Sequence, residues 1–423
     1  MSDPEKFDAI VIGCGPAGSA AATVLAGKGR RVLVLEREKF PRYHIGESLL
    51  PFTFYPLQRL GLAERMRESA FVKKYSVQFV SPSGKASQPF YFFSRYEMDV
   101  AQTWQVLRSE FDLMLMENTR GHGATVLEEV TVREFLQSDG KVVGVEAEHR
   151  DGRDLFYHAP ITLDCSGRDA FAQVHNKWRV KDPKLNKIAV WTYYKGALRD
   201  PGVDAGATTV AYVPEKGWFW YIPQHEDMTS VGVVAEGPYL MRGGVKNPEE
   251  IFKREVGQNR WIEQHLAHGA QVGPYYVTRE FSFHARHCGV EGLLLAGDAF
   301  AFLDPVFSSG LMFALKSGVM AGDMVAEALD AGDLSPARFA PYAAAMREGI
   351  ENMRKLVYAF YDLNFSFRTL VDRYPDAAGD VTDCLSGDVN KDFSRLWREI
   401  RELAELPEDL ALGEPLERLQ KGD

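Results

Sequence analysis

The glycine-rich turn near the start of the chain has the residue types and the spacing needed to bind phosphate. Its six residues fit the pattern G-x-G-x-x-G and are Gly13, Cys14, Gly15, Pro16, Ala17 and Gly18. In such a turn the first glycine permits the tight bend, the second lets the backbone approach a pyrophosphate, and the third lets a helix pack on a strand. Free N–H groups at the start of the following helix attract the phosphates. The turn therefore predicts a dinucleotide site.

The elements around this turn must form a strand–turn–helix–strand unit. Apolar residues at 7–12 predict a buried strand, an alanine-rich stretch up to about Lys28 predicts a helix, and 32–35 predict a second strand. Glu36 ends that strand, where its carboxylate can accept a hydrogen bond from a ribose hydroxyl. The neighbouring Arg37 is a further candidate for cofactor contact.

Two distant segments favour FAD over NAD as the dinucleotide. The segment GLLLAGDAFAFLDPVFSSG at 292–310 predicts a buried strand, then Gly297 and Asp298, then a loop that starts a long helix at about Gly310. The segment ITLDCSGR at 161–168 predicts another strand. Both resemble motifs of the glutathione-reductase-type flavoproteins, and this resemblance implies that Asp298 binds the ribityl and phosphate region of FAD. The helix start at Gly310 would face the flavin ring, where negative charge builds on reduction.

The flavoprotein resemblance assigns further residues to cofactor binding. Arg108 lies in a predicted amphipathic helix followed by a short strand within 105–126 and matches an arginine that reaches the FAD phosphates. A solvated surface arginine is the alternative interpretation. The other candidates are His44, Ile45, Gly46, Glu47, Ser48 and Pro305.

Two other stretches raise a different chemistry. The sequence GWFWYIP at 217–223 places Trp218 and Trp220 two residues apart, so that both side chains leave the same face of a strand. Such a pair either packs in a hydrophobic core or separates a reactive species from another compartment of the site. The sequence FVKKYSVQF at 71–79 predicts a strand with Lys74 on its polar face, which suits either a wet tunnel or plain solvent.

Together with PRYHIGESLLP at 41–51 and FLDPVFSSG at 302–310, these stretches resemble the flavin-dependent halogenases. The likeness is to the phenol and pyrrole type more than to the tryptophan type, within the para-hydroxybenzoate-hydroxylase-like and geranylgeranyl-reductase-like FAD flavoproteins. It runs from the N-terminus to about residue 330. The resemblance implies an enzyme that uses FADH2 supplied by a separate flavin reductase, O2, and chloride or bromide.

The resemblance also implies how halide is used. A flavin C4a-hydroperoxide oxidises a halide held at Ser309 and Gly310. The resulting hypohalous acid then reaches Lys74, which hydrogen-bonds it or becomes a haloamine. Backbone N–H groups at a helix start are a natural halide cradle, which agrees with the predicted helix start at Gly310.

A third implication concerns the substrate. The residues that would separate a small aromatic substrate from the flavin are Trp218, Trp220 and Phe307. Phe307 stands where tryptophan halogenases have a glutamate that stabilises the cationic ring and takes up its proton. Because a phenol stabilises that cation through its own oxygen, Phe307 favours a phenol or another electron-rich ring.

Two other activities stay open. A reductase of the geranylgeranyl-reductase type would saturate C=C bonds by hydride transfer from reduced flavin, and such enzymes carry an aromatic-x-Trp-x-hydrophobic-Pro stretch that FWYIP loosely resembles. An aromatic hydroxylase binds NADPH without a second Rossmann fingerprint. The presence of a single fingerprint therefore does not exclude a hydroxylase.

The predicted fold class is α/β, with a discontinuous glutathione-reductase-type FAD-binding Rossmann domain, an inserted β-sheet substrate domain and a C-terminal helical region. The predicted FAD-binding domain comprises 1–70, 98–185 and 277–330. The predicted substrate sheet comprises 71–97 and 186–276, and the helical region comprises 331–423. The charged end of the chain from 401 onward is expected to be a solvated helix.

Composition narrows the classes of partner. The net charge is −10, which argues against a nucleic-acid binder. Four widely spaced cysteines without a C-x-x-C pair favour a reducing cytoplasm over a disulfide framework or a zinc site. His284, His287 and Cys288 could suggest metal ligands, but a strand end with ordinary polar residues is the preferred interpretation, because no second ligand cluster supports a metal site. No signal peptide or membrane span is expected. The small basic stretch at 175–187 could receive an acidic carrier protein bearing a tethered substrate, although a solvated loop is the preferred interpretation.

Overall fold

The computed structural model describes residues 6–410 and 415–419, which form nineteen strands in four sheets. In chain order the strands are β1 (Ala9–Ile12), β2 (Val32–Leu35), β3 (Val72–Lys74), β4 (Ser76–Val80), β5 (Phe90–Tyr91), β6 (Thr103–Gln105), β7 (Thr125–Leu127), β8 (Val130–Ser138), β9 (Lys141–His149), β10 (Asp154–His158), β11 (Thr162–Asp164), β12 (Arg179–Lys195), β13 (Thr208–Tyr212), β14 (Trp218–Pro223), β15 (Met228–Ala235), β16 (Ala270–Ala285), β17 (Gly289–Val290), β18 (Leu293–Leu295) and β19 (Ala301–Phe302).

The same described residues form fourteen α-helices. In chain order they are α1 (Pro16–Gly27), α2 (Phe54–Arg59), α3 (Ala63–Glu68), α4 (Met98–Ala101), α5 (Arg108–Gly121), α6 (Phe171–His175), α7 (Gly237–Leu240), α8 (Pro248–Val256), α9 (Arg260–Leu266), α10 (Gly310–Ala331), α11 (Ala340–Tyr361), α12 (Phe367–Arg373), α13 (Ala377–Ser386) and α14 (Ser394–Arg401).

A six-stranded sheet in the order β17-β18-β11-β1-β2-β7 carries the dinucleotide motif. Its central strands pair in parallel, and every residue of β1 and β2 is buried, as expected for strands covered on both faces. Helix α10 packs closely on α1, since a Cβ added to Gly318 would stand 2.3 Å from the carbonyl oxygen of Ala17. The predicted α/β class is confirmed.

An eight-stranded sheet in the order β19-β16-β12-β15-β14-β13-β4-β5 forms the second layer. Strand β14 lies in its interior between β13 and β15, and all six of its residues are buried. Trp218 and Trp220 enter one hydrophobic core, whereas Phe219 and Tyr221 enter another. The period of two therefore places the two tryptophans on one face, as the sequence predicts.

The strand predicted over 71–79 is broken at Tyr75. Strand β3 pairs with β6 in a separate two-stranded sheet, whereas β4 joins the large sheet beside β13. The plain-solvent interpretation of Lys74 is wrong, because only 1 % of the residue is exposed. Spacing along one strand could not predict this, since the cover over Lys74 comes from distant segments.

The C-terminal region is helical from α11 to α14, and its apolar residues join the main core. The expectation of a helix from 401 to the end is wrong within 402–410, where no helix forms and Pro407 would interrupt one. Residues 411–414 and 420–423 lie outside the described residues. Between them, the backbone N–H of Leu416 donates to Gly289 and that of Leu419 donates to Gly140.

Two other expectations concern segment boundaries. The basic stretch is not a loop over 179–187, because these residues belong to β12. The predicted domain boundaries after 185 and after 276 fall inside β12 and β16, and the domain division stays a prediction. No helix among the described residues is long and apolar enough to cross a bilayer.

Candidate functional site

A cavity of about 510 Å³ is lined by residues of both large sheets. Seventeen of the residues predicted from the sequence line it: Gly13, Gly15, Pro16, Ala17, Glu36, Arg37, His44, Ile45, Gly46, Glu47, Ser48, Arg108, Trp218, Trp220, Asp298, Pro305 and Gly310. Four others, Gly18, Lys74, Phe307 and Ser309, lie behind its walls and are buried or packed. The structure thus brings together segments that are up to about three hundred residues apart in the sequence.

The glycine turn closes one end of the cavity. Gly13 has φ +90°, which favours glycine, and a Cβ on Gly18 would stand 1.9 Å from the carbonyl oxygen of Gly13. Glu36 accepts hydrogen bonds from the backbone N–H of Cys14 at 2.8 Å and of Glu38 at 2.9 Å. Its carboxylate therefore holds the turn and keeps lone pairs for a further donor.

Two helices begin at the cavity wall. Helix α1 starts after Gly15 and α10 starts after Ser309, and neither start has a side-chain cap. A Cβ on Gly310 would meet nothing within 4 Å, and a Cβ on Gly15 would only touch Arg42 at 3.6 Å. Both helix starts therefore leave room for a ligand that accepts hydrogen bonds. The open N–H groups at the start of α1 fit the phosphates of FAD. The glycine at the start of α10 leaves room for its ring system.

Arg108 is buried, so the surface interpretation of this residue is wrong. Its guanidinium binds Asp112 through two hydrogen bonds of 2.8 and 2.9 Å and donates to the carbonyl oxygens of Ile45 and Gly46. The positive charge of Arg108, together with burial, lowers the pKa of His44 to about 3. Arg108 therefore fixes the 44–46 loop while presenting positive charge to the cavity.

Three tryptophans line one side of the cavity. The ring centres of Trp218 and Trp220 are 6.2 Å apart, and those of Trp220 and Trp191 are 6.1 Å apart. The indole N–H of Trp218 donates to the hydroxyl of Tyr361 at 2.8 Å, and that of Trp220 donates to Ser230 at 3.0 Å. Hydrogen bonds at the polar ends hold these rings as a rigid apolar wall.

Lys74 lies directly behind the cavity wall. Its Nζ donates to the hydroxyl of Ser48 at 2.9 Å and to the carbonyl oxygen of Leu49 at 3.0 Å, and it stands 5.6 Å from the ring centre of Phe92. Both hydrogen-bond acceptors are neutral. Because burial disfavours the charged form, the pKa of Lys74 falls to about 7. The amine can therefore be charged or neutral near neutral pH.

Comparison with known proteins places this site in a family. The model described as "FAD binding domain" matches residues 6–351. A 1H-pyrrole-2-carbonyl-(peptidyl-carrier protein) chlorinase of Pseudomonas fluorescens is 31 % identical over 413 residues, with 92 % of this chain and 90 % of the relative covered. The chain belongs to the flavin-dependent halogenases. Among solved structures, the brominase Bmp2 superimposes with a TM-score of 0.85 and 28 % identity, covering 94 % of this chain and 98 % of that one.

Two further relatives agree with the membership. The chondrochloren halogenase CndH has a TM-score of 0.79 and 30 % identity, covering 97 % of this chain and 100 % of that one. A pyrrole-2-carbonyl carrier-protein brominase of Pseudoalteromonas luteoviolacea is 32 % identical over 336 residues, with 79 % of this chain and 80 % of the relative covered. This halogenase-family protein is an FAD-dependent enzyme, and the cavity described above is the candidate FAD site.

Phe307 of this halogenase-family protein lies behind the wall of the FAD cavity and does not line it. Its ring centre is 5.6 Å from that of Phe360 and 6.1 Å from that of Phe367, both in the C-terminal helices. Phe367 in turn packs 4.7 Å from Phe79 of β4. The separating role assigned to Phe307 stays a prediction, and its neighbours form an aromatic cluster with the C-terminal helices.

Sequence reasoning missed three residues of the halogenase-family site. They are the cavity-lining Trp191 and Tyr43, and Tyr193, which supports them. A chain of hydrogen bonds connects the three residues. Trp191 and Tyr193 alternate along β12 in a run of aromatic residues, which is the only signal the sequence offers for them. Their pairing with the 41–51 segment depends on contacts about 150 residues apart.

The lowered pKa of Lys74 predicts how the stability of this halogenase-family protein depends on pH. The ordinary pKa of 10.5 applies to the unfolded chain, and the folded value is about 7. Between these values the unfolded chain binds a proton that the folded chain lacks, so the free energy of unfolding rises with pH. We expect the wild type to gain stability relative to Lys74→Met by up to about 1.4 kcal/mol per pH unit in this window.

Urea unfolding of both proteins at several pH values between about 7 and 10 measures this difference. The adjacent Lys73 is exposed, and Lys73→Met is the matched control. A stability difference between wild type and Lys74→Met that stays constant with pH would contradict a buried amine of lowered pKa.

Proposed function

We propose that this protein places chlorine or bromine on an electron-rich aromatic ring of the pyrrole or phenol type. The observation that carries the proposal is the buried amine of Lys74, bonded to Ser48 of the FAD cavity by a 2.9 Å hydrogen bond. Among the relatives, the pyrrole chlorinase and brominase act on a pyrrole-2-carbonyl group attached to a carrier protein. We extend that mode of substrate delivery to this chain, with an acidic carrier protein as the partner.

The residues that would hold FAD are those of the glycine turn, Arg108 and Asp298. FAD bound there and reduced by a separate flavin reductase would activate O2, and O2 would be the oxidant that converts halide into hypohalous acid. Helix α10 begins at Gly310, and its first N–H groups carry partial positive charge. These groups would hold the halide at the cavity wall beside Ser309 and Gly310.

The tryptophan wall keeps the organic substrate out of the FAD cavity. Trp218 and Trp220 are held by hydrogen bonds from their N–H groups, so that they do not swing aside to admit a ring. A small acid of the size of hypochlorous acid needs far less room than an aromatic ring. The wall therefore favours oxidation of halide over direct oxygenation of the substrate.

Lys74 holds hypohalous acid for the ring. In the charged form its Nζ donates a hydrogen bond to the acid, and in the neutral form it can take the halogen itself; a pKa near 7 makes both available. A ring carbon attacks the halogen, the halogen–oxygen bond breaks, and the ring carbon loses its proton. The oxygen leaves as water, so that no oxygen remains in the product.

A reconstituted reaction tests this function and its carrier requirement. With flavin reductase, FAD, O2 and bromide or chloride, we expect halogenation of pyrrole-2-carbonyl loaded on a carrier protein, detected by intact-protein mass spectrometry. Free pyrrole-2-carboxylate should react with a KM at least about tenfold higher, because the carrier contributes binding energy. The same mixture without halide is the control.

The outcomes of this reaction separate the parts of the proposal. Halogenation of free phenols or pyrroles at an equal or lower KM would overturn the carrier-bound substrate but keep the activity. Absence of halogenated product from every aromatic substrate, with FAD bound and reduced, would overturn the proposed function.

A further inference from the structure

Glu47 is a carboxyl group buried in the wall of the FAD cavity. Only 2 % of the residue is exposed, and its Oε2 atom is buried without a hydrogen bond of normal geometry. Burial raises the pKa of Glu47, while Ser230, Tyr193 and Gln224 beside the carboxyl and the positive charge of Arg108 act in the opposite direction. Burial thus favours the protonated form of this carboxyl over the charged one.

A chain of hydroxyl groups leads from this carboxyl to the surface. The hydroxyl of Tyr193 donates to Oε1 of Glu47 at 2.8 Å, and the hydroxyls of Tyr193 and Tyr43 are 3.0 Å apart. The indole N–H of Trp191 donates to the hydroxyl oxygen of Tyr43 at 2.7 Å. Tyr43 also lines the cavity, and 46 % of the residue is exposed, so that the outer end of the chain is a partly exposed side chain.

Each hydrogen-bond donor along this chain points to the next residue on the way to Glu47. Tyr193 uses its only hydroxyl hydrogen for Glu47, so Tyr43 must donate to the Tyr193 oxygen. Trp191 cannot accept a hydrogen bond, so it fixes Tyr43 as acceptor on that side. The order of hydrogen bonds is therefore that of a path for proton movement from Tyr43 to Oε1 of Glu47, a residue of the cavity wall.

The proposed halogenation consumes protons, and the inference rests on that proposed function. A reduced flavin anion, O2, halide ion and a ring C–H give oxidised flavin, a halogenated ring and two waters only if two protons are taken up. Bound FAD would fill much of this cavity and leave little room there for bulk water. A route through protein groups meets this demand.

We propose that Tyr43, Tyr193 and Glu47 form a proton relay that supplies the FAD cavity. In one passage a proton from water reaches the Tyr43 oxygen, the Tyr43 proton moves to Tyr193, and the Tyr193 proton moves to Oε1 of Glu47. Oε2 of Glu47 delivers a proton to the cavity. Each hydroxyl gains one proton as it loses one, so no net charge stays on either tyrosine.

Tyr43 and Tyr193 are suited to pass protons along a chain rather than to ionise as acids. Burial raises the pKa of Tyr43 to about 12, and burial, assisted by the charge of Glu47, raises that of Tyr193 further. Neither hydroxyl ionises at neutral pH, and both pass a proton only by exchanging one bond for another.

Matched phenylalanine variants test the relay during turnover. We expect Tyr193→Phe to lower the single-turnover rate of halogenation by roughly ten- to a hundredfold, and Tyr43→Phe by a smaller factor, with a larger solvent deuterium isotope effect than the wild type in both. Tyr276 stacks on Tyr43 with ring centres 4.8 Å apart, but its hydroxyl is not part of the chain. Tyr276→Phe is the control and should match the wild type.

A second readout needs no turnover. Infrared difference spectra of the oxidised protein, with Glu47→Gln identifying the band, follow the C=O stretch of the protonated Glu47 carboxyl as the pH changes. Loss of the Tyr193 hydrogen bond should shift this band and raise the pKa of Glu47 in Tyr193→Phe, and Tyr276→Phe should leave both unchanged.

The two readouts distinguish the possible failures. A wild type that halogenates, together with Tyr193→Phe and Tyr43→Phe rates within twofold of Tyr276→Phe and an unchanged isotope effect, would overturn the relay and keep the proposed function. A Glu47 band that is insensitive to Tyr193→Phe would also overturn it, whether or not the enzyme halogenates.

Discussion

Lys74→Ala lowers the rate of ring halogenation by about a hundred- to ten-thousandfold, the range expected when a positioned proton-transfer or hydrogen-bonding group is removed. The reason is geometric, because Lys74 places its Nζ within 3.0 Å of Ser48 and Leu49 at the wall of the FAD cavity. In the proposed mechanism the amine holds hypohalous acid beside the ring, so we expect the acid to escape when the amine is removed. Product formation under single-turnover conditions, quantified by mass spectrometry, measures the loss.

The same variant should still form hypohalous acid. A 1,3-diketone scavenger in solution should be halogenated by Lys74→Ala at about the wild-type rate or faster, since the acid escapes from the site. Lys73→Ala, at the exposed neighbouring position, should behave as the wild type in both assays. Ring halogenation within tenfold of the wild type in Lys74→Ala would contradict the assigned role.

Gly18→Ala is expected to weaken FAD binding by about a hundredfold, which corresponds to about 2.7 kcal/mol. The added Cβ would stand 1.9 Å from the carbonyl oxygen of Gly13 and 3.2 Å from a methyl group of Val11. A carbonyl oxygen, unlike a side chain, cannot rotate away on its own. The backbone of the glycine turn must therefore shift to relieve the contact with Gly13. Fluorescence titration of the apoprotein with FAD measures the change.

Two further variants serve as comparisons for Gly18→Ala. Gly121→Ala lies at the end of α5 with nothing within 4 Å of the added Cβ and should bind FAD normally. Gly15→Ala gains only an ordinary 3.6 Å contact with Arg42, so it should fold, yet its methyl group narrows the approach of a pyrophosphate. Unchanged FAD affinity in both Gly15→Ala and Gly18→Ala would contradict the placement of the phosphates at this turn.

The dinucleotide half of the fold was predictable because its signals are local. The turn at 13–18, the acidic end of β2 and the helix start at Gly310 each need particular residue types within a few positions. The pairing of Trp218 and Trp220 on one face follows from the strand period, which is also local. These features needed no knowledge of what packs against them.

The surroundings of the functional residues were not predictable in this way. Lys74 is buried because the 48–49 segment and β6 cover it, and the strand period alone suggested a polar face. The aromatic neighbours of Phe307 come from α11 and α12, beyond the sequence motifs that carry the resemblance. The alignment of Tyr43 with Tyr193 depends on side-chain directions across two segments.

The most direct test of the central claim is the mass of the product formed in bromide. The holoenzyme, a flavin reductase, O2 and pyrrole-2-carbonyl on a carrier protein are mixed, and the released acyl group is analysed by mass spectrometry. The account predicts the paired bromine isotope signals on the ring, dependent on bromide and O2 and lost in Lys74→Ala. A product that gains oxygen or hydrogen instead, with no bromine at any bromide concentration, would contradict it and favour the hydroxylase or the reductase.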